Sequence, residues 1–307
     1  GFGGYGFPES HSASFALLAY VSAWLKCHHP AAFYTGLLNS QPMGFYTPSQ
    51  LIQDARRHGV TVLPADINHS ERDHTLMSQP SGGQAPIRLG LRIIKGLSEA
   101  GMQRIVSARR QQAFTKLSEL RSRAQLDRHD MEALGAADAL ASLSGNRHQT
   151  HWQIMALEQP TTLLNERYLN QAEDLKGDAL LAAPSIADNV LADYHSTGLT
   201  LREHPLALLR NSAPFNRCQR QQDLAALGNH RFVRIAGLVT CRQRPGTASG
   251  VVFLTLEDET GNHNVVVWPS VQERCRQALM TAQLLVVKGT LESRDGVMHV
   301  IASGLEN

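Results

Sequence analysis

The sequence predicts an α+β protein of several domains, in which helices come first and a small β-barrel ends the chain. Apolar residues recur at helical spacing before residue 228 and alternate with a period of two from His230 onward. Clusters of Ser, Pro and Gly separate the patterned stretches. The length of 307 residues exceeds one average domain. The predicted divisions are 1–85, 86–150, 151–228 and 229–307.

Composition and charge exclude several classes of protein. The longest apolar run, FALLAYVSAWL, is shorter than the roughly 20 residues that cross a bilayer, so we expect no membrane partner. The four cysteines lack the spacing of a zinc site or a disulfide framework, and no signal peptide is evident. We therefore expect a cytoplasmic location. The formal net charge of +2 does not by itself predict a polyanion partner.

The first division is predicted to be helical and opens on a polar cluster. Glu9, Ser10 and His11 precede an apolar series that starts at Phe15 and has helical spacing. Adjacent side chains on a helix diverge by about 100°, which argues against a nucleophile and base at Ser10 and His11. Two interpretations of this cluster stay open: it caps the start of a helix, or it binds a charged small molecule.

The second division is predicted to be helical and locally basic, with a helix-hairpin-helix pattern. In IIKGLSEAGMQRIVSAR, Gly96 lies in a short hairpin between two helical stretches. Glycine lets backbone NH groups approach a phosphate, and the following helix N-terminus favours an anion. Arg92, Lys95 and Arg104 are placed to attract a DNA backbone. The alternative is a packing unit with a solvated basic face.

The third division is predicted to be a helical connector, and the fourth an OB-fold. Five strand-like runs with a helical run after the third match this small barrel, which commonly binds oligonucleotides. Arg242 and Arg244 lie in the loop CRQRPGTASG between the first two strands, where they could follow a phosphate backbone, and Phe253 offers a face for base stacking. The alternative is that Phe253 and Trp268 fill the core, which we favour for Trp268 because it closes a strand directly before a proline.

The sequence contains no recognisable catalytic centre. Two-metal phosphoryl transfer needs carboxylates that converge on two cations, and no D-x-D pair occurs. The acidic run at 257–259 overlaps the hairpin turn DETGN, so we interpret it as part of this turn and not as a metal site. We predict no catalytic residue and no metal ligand in this chain.

Several long stretches resemble bacterial family-C DNA polymerases. YGFPESHSASFALLAYVSAWLKCHHPAAFYTGLLNSQPMGFY and DARRHGVTVLPADIN are similar to the late fingers segment, with the closest similarity to the error-prone, damage-inducible alpha-subunit-like branch. LGLRIIKGLSE resembles the family's helix-hairpin-helix domain, DYHSTGLTLREHPLALLR its connector and FLTLEDETGNHNVVVWP its OB domain. The resemblance covers essentially the whole chain.

The resemblance implies a role for the opening polar cluster. Fingers residues of the family lie near the incoming nucleotide, so Ser10, His11 and Phe15 are expected to contact it. Replicative relatives show N-K-S-H with a tyrosine downstream, whereas this sequence has P-E-S-H and Phe15. We expect the lost cation and hydroxyl to change how firmly the nucleotide is held, and we hypothesise that this change lowers fidelity.

The resemblance also implies what lies outside the chain. The palm, whose aspartates hold Mg²⁺, and a phosphoesterase-like domain are expected to precede Gly1, so the chain is expected to be a C-terminal fragment that is inactive alone. The implied ligands are a DNA template-primer and deoxynucleoside triphosphates. The implied function is damage-induced translesion synthesis and DNA repair, with an accessory polymerase-like protein providing an indirect link to the sliding clamp.

Two other functions stay open. The hairpin and the barrel also fit a self-contained DNA-binding module without polymerase activity, which would have no need for the fingers-like segment at 6–46. The chain also fits a protein-docking platform, which weak DNA binding without steep salt dependence would favour.

Overall fold

The computed structural model describes residues 9–44, 46–78, 83–157, 181–294 and 296–307. The chain divides into two units, Gly1–Leu201 and Arg202–Asn307. Helices dominate the first unit and a closed barrel forms the second, which confirms the α+β fold class. The finer domain boundaries given above stay predictions.

The first unit consists of helices around a small sheet. Three two-residue strands, β1 (Val62–Leu63), β2 (Thr75–Leu76) and β3 (Ile87–Arg88), pair in the order β1-β3-β2. The described helices are α1 (Glu9–His28), α2 (Pro30–Asn39), α3 (Pro48–Arg57), α4 (Glu99–Gln111), α5 (Leu117–Arg123), α6 (Arg128–Ala136), α7 (Ala141–Ser144), α8 (Arg147–Ala156) and α9 (Ile186–Ser196).

Local sequence sets several of these helix ends. The Thr47 side chain accepts a hydrogen bond from the Gln50 amide and caps α3, which also begins with a proline. Gly59 follows α3 with a φ of +75°, a conformation that favours glycine. The Ser98 side chain caps α4 by accepting from the Gly101 amide. These ends follow from residues that are close together in the chain.

The core of the first unit excludes α1. Its main apolar cluster joins α3, the β-sheet region and α4–α8, and includes Ile52, Leu91, Ile105 and Leu134. Every described side chain of α1 from residue 11 to 24 is exposed. None of the helices in the described ranges is long and apolar enough to cross a membrane.

A buried arginine holds α6, α8 and α9 together. Arg147 begins α8, and its side chain is only 8% exposed. Its Nε donates to the Ala136 carbonyl at 3.1 Å, Nη1 donates to Asn189 Oδ1 at 2.6 Å, and Nη2 pairs with Asp193. A buried cation is tolerated only when it is paired and hydrogen-bonded, so these acceptors fix where α9 packs.

The second unit is a five-stranded barrel closed in the order β4-β5-β6-β8-β7. β6 and β8 pair in parallel and the other neighbours are antiparallel. Helices follow the third strand, as predicted. The elements are α10 (Pro205–Leu209), α11 (Gln221–Leu224), β4 (Phe232–Gln243), β5 (Val252–Glu257), β6 (Asn262–Val267), α12 (Pro269–Arg274), α13 (Arg276–Thr281), β7 (Leu284–Arg294) and β8 (Val297–Glu306).

The acidic run at 257–259 is built into the barrel as a structural network. Asp258 accepts from the Gln221 amide at 2.8 Å and from Thr260 Oγ1 at 2.7 Å, and it bonds to His263 Nε2 at 2.9 Å. Arg210 Nε donates to Glu259 at 2.7 Å. Burial by itself would raise the pKa of Asp258, but the bond and charge of His263, with the bonds from Thr260, hold this pKa below its usual range.

Replacing Arg147 by alanine should destabilise the packing of α9. The change leaves Asp193 partly buried without its cation, and breaking a buried pair in this way costs about 3–5 kcal/mol. Hydrogen exchange of the α9 amides at increasing urea concentrations measures this local free energy. Arg128→Ala is the control, because Arg128 forms an exposed pair with Glu132 that is worth at most about 1 kcal/mol. Equal protection of α9 in both variants would contradict the assigned role.

The ionised Asp258 should make the second unit sensitive to acid. Its folded pKa lies below the ordinary value of 3.8, so its contribution is complete above that pH and is lost as pH falls through the folded pKa. At pH 7, Asp258→Asn should lower the free energy of unfolding by about 1.5–3 kcal/mol, the worth of one hydrogen bond to a charged group. The variant should also lose part of the acid dependence.

Denaturant melts from pH 7 down to pH 2 give the comparison. Asp223→Asn, on the exposed surface of α11, should behave like the unmodified chain. Parallel pH curves for the unmodified chain and Asp258→Asn would disprove the assignment.

Candidate nucleic-acid interface

The start of α1 carries all three residues expected to contact a nucleotide. The rings of His11 and Phe15 lie one helical turn apart, with centroids at 4.4 Å, and the Phe15 side chain is exposed. Ser10 is the second residue of the helix, and its side chain lies outside the described structure. The structure thus brings His11 and Phe15 together on an exposed helical surface.

A polar network fixes the other end of α1. Asp54 of α3 accepts from Lys26 Nζ of α1 at 2.7 Å and from the Tyr34 hydroxyl of α2 at 2.6 Å. Burial and the bond to Asp54 raise the pKa of Tyr34, so its hydroxyl stays protonated and donates. Sequence reasoning missed this network, because its members are 20 and 28 positions apart and no motif links them.

The hairpin at Gly96 forms as predicted but differs in two respects. Gly96 has a φ of +84°, yet the element before it is a 3₁₀ turn, Leu91–Ile93, rather than an α-helix. The N-terminus of α4 is also occupied. Asp130 is 1% exposed, and its carboxylate accepts from the Ser98 amide at 2.9 Å and from the Ser98 hydroxyl at 3.0 Å. A protein carboxylate therefore takes up the amide and the hydroxyl of the residue that caps this helix.

The cations of this hairpin are engaged within the first unit. The Lys95 amide donates to the Ser196 carbonyl at 2.8 Å, and its Nζ donates to the Tyr194 carbonyl at 3.1 Å. Arg104 Nε donates to the Ala124 carbonyl at 2.8 Å. Arg92 donates to the carbonyls of residues 39 and 41 and to the carboxylate of residue 73. In the described arrangement these side chains tie elements together, and DNA contact at Arg92, Lys95, Gly96 and Arg104 stays a prediction.

The outward-facing side chains of β5 and β6 include Phe253, which was predicted to contact DNA. We call Phe253, Thr255, Asn264 and Val266 the strand face. Phe253 pairs in register with Val266, and Thr255 pairs with Asn264. Side chains alternate along a strand, so these residues point outward while their neighbours fill the barrel. Phe253 is 38% exposed, which leaves its ring available for stacking.

The arginines near the first barrel loop differ in their contacts. Arg242 Nε donates to the Leu279 carbonyl at 2.9 Å, and its Nη2 bonds to the Ala282 carbonyl, so Arg242 closes the end of α13. Within the described part of the chain, no hydrogen bond or ion pair engages the guanidinium of Arg244. The structure therefore fixes Arg242 in place and leaves Arg244 available to a ligand.

Trp268 does not fill the barrel core. Its side chain is 50% exposed, so the interpretation that favoured burial was wrong. The reason is that β6 ends at Val267 and Trp268 occupies the N-cap position of α12. The alternation that directs side chains into the barrel has stopped at this point, and the proline that follows begins a helix.

Comparisons with known proteins agree with this architecture. The family described as "Helix-hairpin-helix motif" matches residues 59–150, and the family described as "OB-fold nucleic acid binding domain" matches residues 233–307. These matches confirm both predicted kinds of domain.

Curated relatives match nearly the whole chain. The error-prone DNA polymerase of Saccharophagus degradans is 59% identical over 98% of this chain and 29% of its own length. That of Teredinibacter turnerae is 56% identical over 99% of this chain and 30% of its own length. That of Methylococcus capsulatus is 50% identical over 100% of this chain and 30% of its own length. The chain thus spans less than a third of the length of these relatives.

Proposed function

Since this chain belongs to the error-prone DNA polymerase family and corresponds to a C-terminal part of its members, we propose that it forms the DNA-contacting portion of a DNA-directed DNA polymerase. The observation that carries the proposal is the alignment of 98–100% of the chain at 50–59% identity. The whole enzyme would carry out damage-induced translesion synthesis and DNA repair in the cytoplasm. An accessory polymerase-like protein would provide its indirect link to the sliding clamp.

Residues outside this chain would supply the chemistry of nucleotide transfer. Among the described residues, no group of three or more His, Cys, Asp or Glu side chains is placed to hold a metal ion. Transfer of a nucleotidyl group uses divalent cations held by converging carboxylates, and we propose Mg²⁺ for this role. The chain's own contribution would be to bind and orient DNA and nucleotide.

The strand face of the barrel is the part of the chain that we propose to contact single-stranded DNA. Stacking of a base on an exposed aromatic ring is worth about 1–3 kcal/mol and tolerates any base, as a template reader requires. Arg244 would neutralise a phosphate beside this face. Such phosphate contacts position the strand and carry no direct sequence information.

The start of α1 is the part that we propose to contact the incoming nucleotide. His11 and Phe15 offer a paired imidazole and phenyl surface, and Ser10 precedes them on the same helix. The network around Asp54 supports this role because it fixes the C-terminal end of α1. The helix can then hold a nucleotide-facing surface at its other end.

A self-contained DNA-binding module is the second candidate function. It is favoured by the two domain matches at 59–150 and 233–307, which need no polymerase. These matches leave residues before 59 without a role, whereas the relatives align with nearly the whole chain. The proposal of a polymerase portion therefore accounts for more of the sequence than a DNA-binding module does.

Replacing Phe253 by alanine should weaken binding of a thymidine oligonucleotide about 5- to 150-fold, because one stacked base is lost. Fluorescence anisotropy of the 307-residue chain at several salt concentrations measures this effect. Phe232→Ala is the matched control, because Phe232 is an exposed aromatic residue of the same barrel outside the strand face, and it should bind normally.

Arg104→Ala separates the hairpin from the barrel in the same assay. It should lower stability and leave the salt dependence of binding unchanged, because Arg104 is bonded to the Ala124 carbonyl. A reduced salt slope in this variant would restore the hairpin as a DNA contact. Weak, salt-independent binding by the unmodified chain would instead favour a protein-docking platform.

Replacing Phe15 by tyrosine should reduce misinsertion in a complete polymerase that contains this sequence. The added hydroxyl offers one hydrogen bond to the nucleotide, worth about 0.5–1.5 kcal/mol or roughly 2- to 12-fold in rate ratio. Single-nucleotide insertion kinetics provide the measurement. Tyr20→Phe, further along α1, is the control and should leave fidelity unchanged. Unchanged misinsertion in both Phe15→Tyr and Glu9→Lys would refute the nucleotide-site proposal.

A further inference from the structure

A groove of about 600 Å³ lies in the second unit between the adjacent ends of β4 and β5 and the helices α12 and α13. We call it the helix-side groove and define it by six of its lining residues. They are Gln243, Arg244, Pro269, Gln272, Arg276 and Met280. The groove is distinct from the strand face, and none of the domain matches assigns a ligand to it.

Positive charge dominates the lining of the groove. The guanidinium groups of Arg244 and Arg276 have no hydrogen-bond or ion-pair partner within the described residues. Arg242 also lines the groove, where the carbonyls at the end of α13 hold its charge in place. Glu273 is the one acidic residue in this described lining. This balance favours an anionic ligand.

The side-chain amide of Gln272 is held in one orientation, and its oxygen has no hydrogen-bond donor among the described residues. Gln272 Nε2 donates to the Gly250 carbonyl and to the Val267 carbonyl, both at 2.8 Å. Both partners are acceptors, so the orientation of the amide is settled and both of its N–H donors are used. Gln272 Oε1 stays able to accept from a ligand. Every DNA base carries an N–H donor on its pairing edge, so this acceptor suits any base.

An apolar wall completes the groove. Met280 is 67% exposed although it is large and apolar, and Pro269 and Val252 lie in the same lining. A flexible thioether beside cationic groups gives a surface on which a planar ring can rest. The groove therefore combines an apolar surface, a hydrogen-bond acceptor and two available cations, which are the features that a nucleotide requires.

The groove adjoins the strand face. Gln243 at its edge pairs in register with Phe253 on β5. Neighbouring strands lie about 4.8 Å apart, which is less than the length of one nucleotide of single-stranded DNA. A strand stacked on Phe253 therefore reaches the groove without a gap.

We propose that the helix-side groove binds one nucleotide of a single DNA strand that also stacks on Phe253. Its phosphate lies between Arg244 and Arg276, and its base rests on Met280 and donates to Gln272 Oε1. This inference rests on the proposed DNA-binding function and extends the path of the strand across β4. An acidic peptide is the competing ligand for a groove of this charge.

Arg276→Ala in the 307-residue chain tests the proposal. The variant should bind a thymidine oligonucleotide about 3- to 10-fold more weakly at low salt, and the slope of log affinity against log salt should fall by about 0.7, as expected for one phosphate contact. Arg274→Ala is the matched control, because Arg274 donates to the Ser270 and Ser303 carbonyls and lies outside the groove lining. It should keep the salt slope of the unmodified chain.

Met280→Ala is an independent test of the groove, because it leaves every charge in place. It should weaken binding about 3-fold without changing the salt slope. Normal binding by both groove variants, with weak binding by Phe253→Ala, would overturn the groove and leave the proposed function intact. Absence of binding by the unmodified chain would instead overturn the proposed function. Displacement of the oligonucleotide by polyglutamate of equal charge at equal concentration would overturn the groove in favour of an acidic peptide.

Discussion

Buried arginines that require fixed acceptors organise both units of this protein. Arg147 joins three helices of the first unit through two carboxylate or amide side chains and a backbone carbonyl. Arg210 joins the segment before the barrel to the turn between β5 and β6. A guanidinium presents five donors in a rigid fork, so burying one commits several distant segments to a single arrangement. The hydrogen bonds of these two arginines therefore fix how the segments that they join are placed.

The same chemistry changes where nucleic acid is expected to bind. Arginine density made the second division of the sequence the first candidate for DNA contact. In the structure, Arg92 and Arg104 donate to backbone carbonyls, and Asp130 accepts from the amide of Ser98 at the start of α4. On the barrel, Arg244 has no hydrogen-bond or ion-pair partner among the described residues, and it directly follows Gln243, the register partner of the exposed Phe253. Charge counted along a sequence is therefore a poor guide to charge available at a surface.

The turn between β5 and β6 stabilises the barrel and leaves the strand face exposed to a ligand. Asp258 stabilises the turn between β5 and β6 through hydrogen bonds with Thr260, Gln221 and His263. This rigid turn holds the two strands that carry the strand face. The face itself needs no buried polar group and is left open to a ligand. Stability and binding are thus assigned to different residues of the same hairpin.

The sequence by itself determined the local structure and the family. Capping by Thr47 and Ser98, the hairpin glycine at Gly96 and the period of two in the barrel all depend on residues that are neighbours in the chain. The five-stranded barrel and the resemblance to error-prone polymerases follow from the same short patterns. Only the tertiary structure decided which arginines form hydrogen bonds within the protein and that a groove lies beside Phe253. Each of these depends on partners far apart in sequence, such as Arg147 and Asp193 at 46 positions, and no local pattern encodes such pairs.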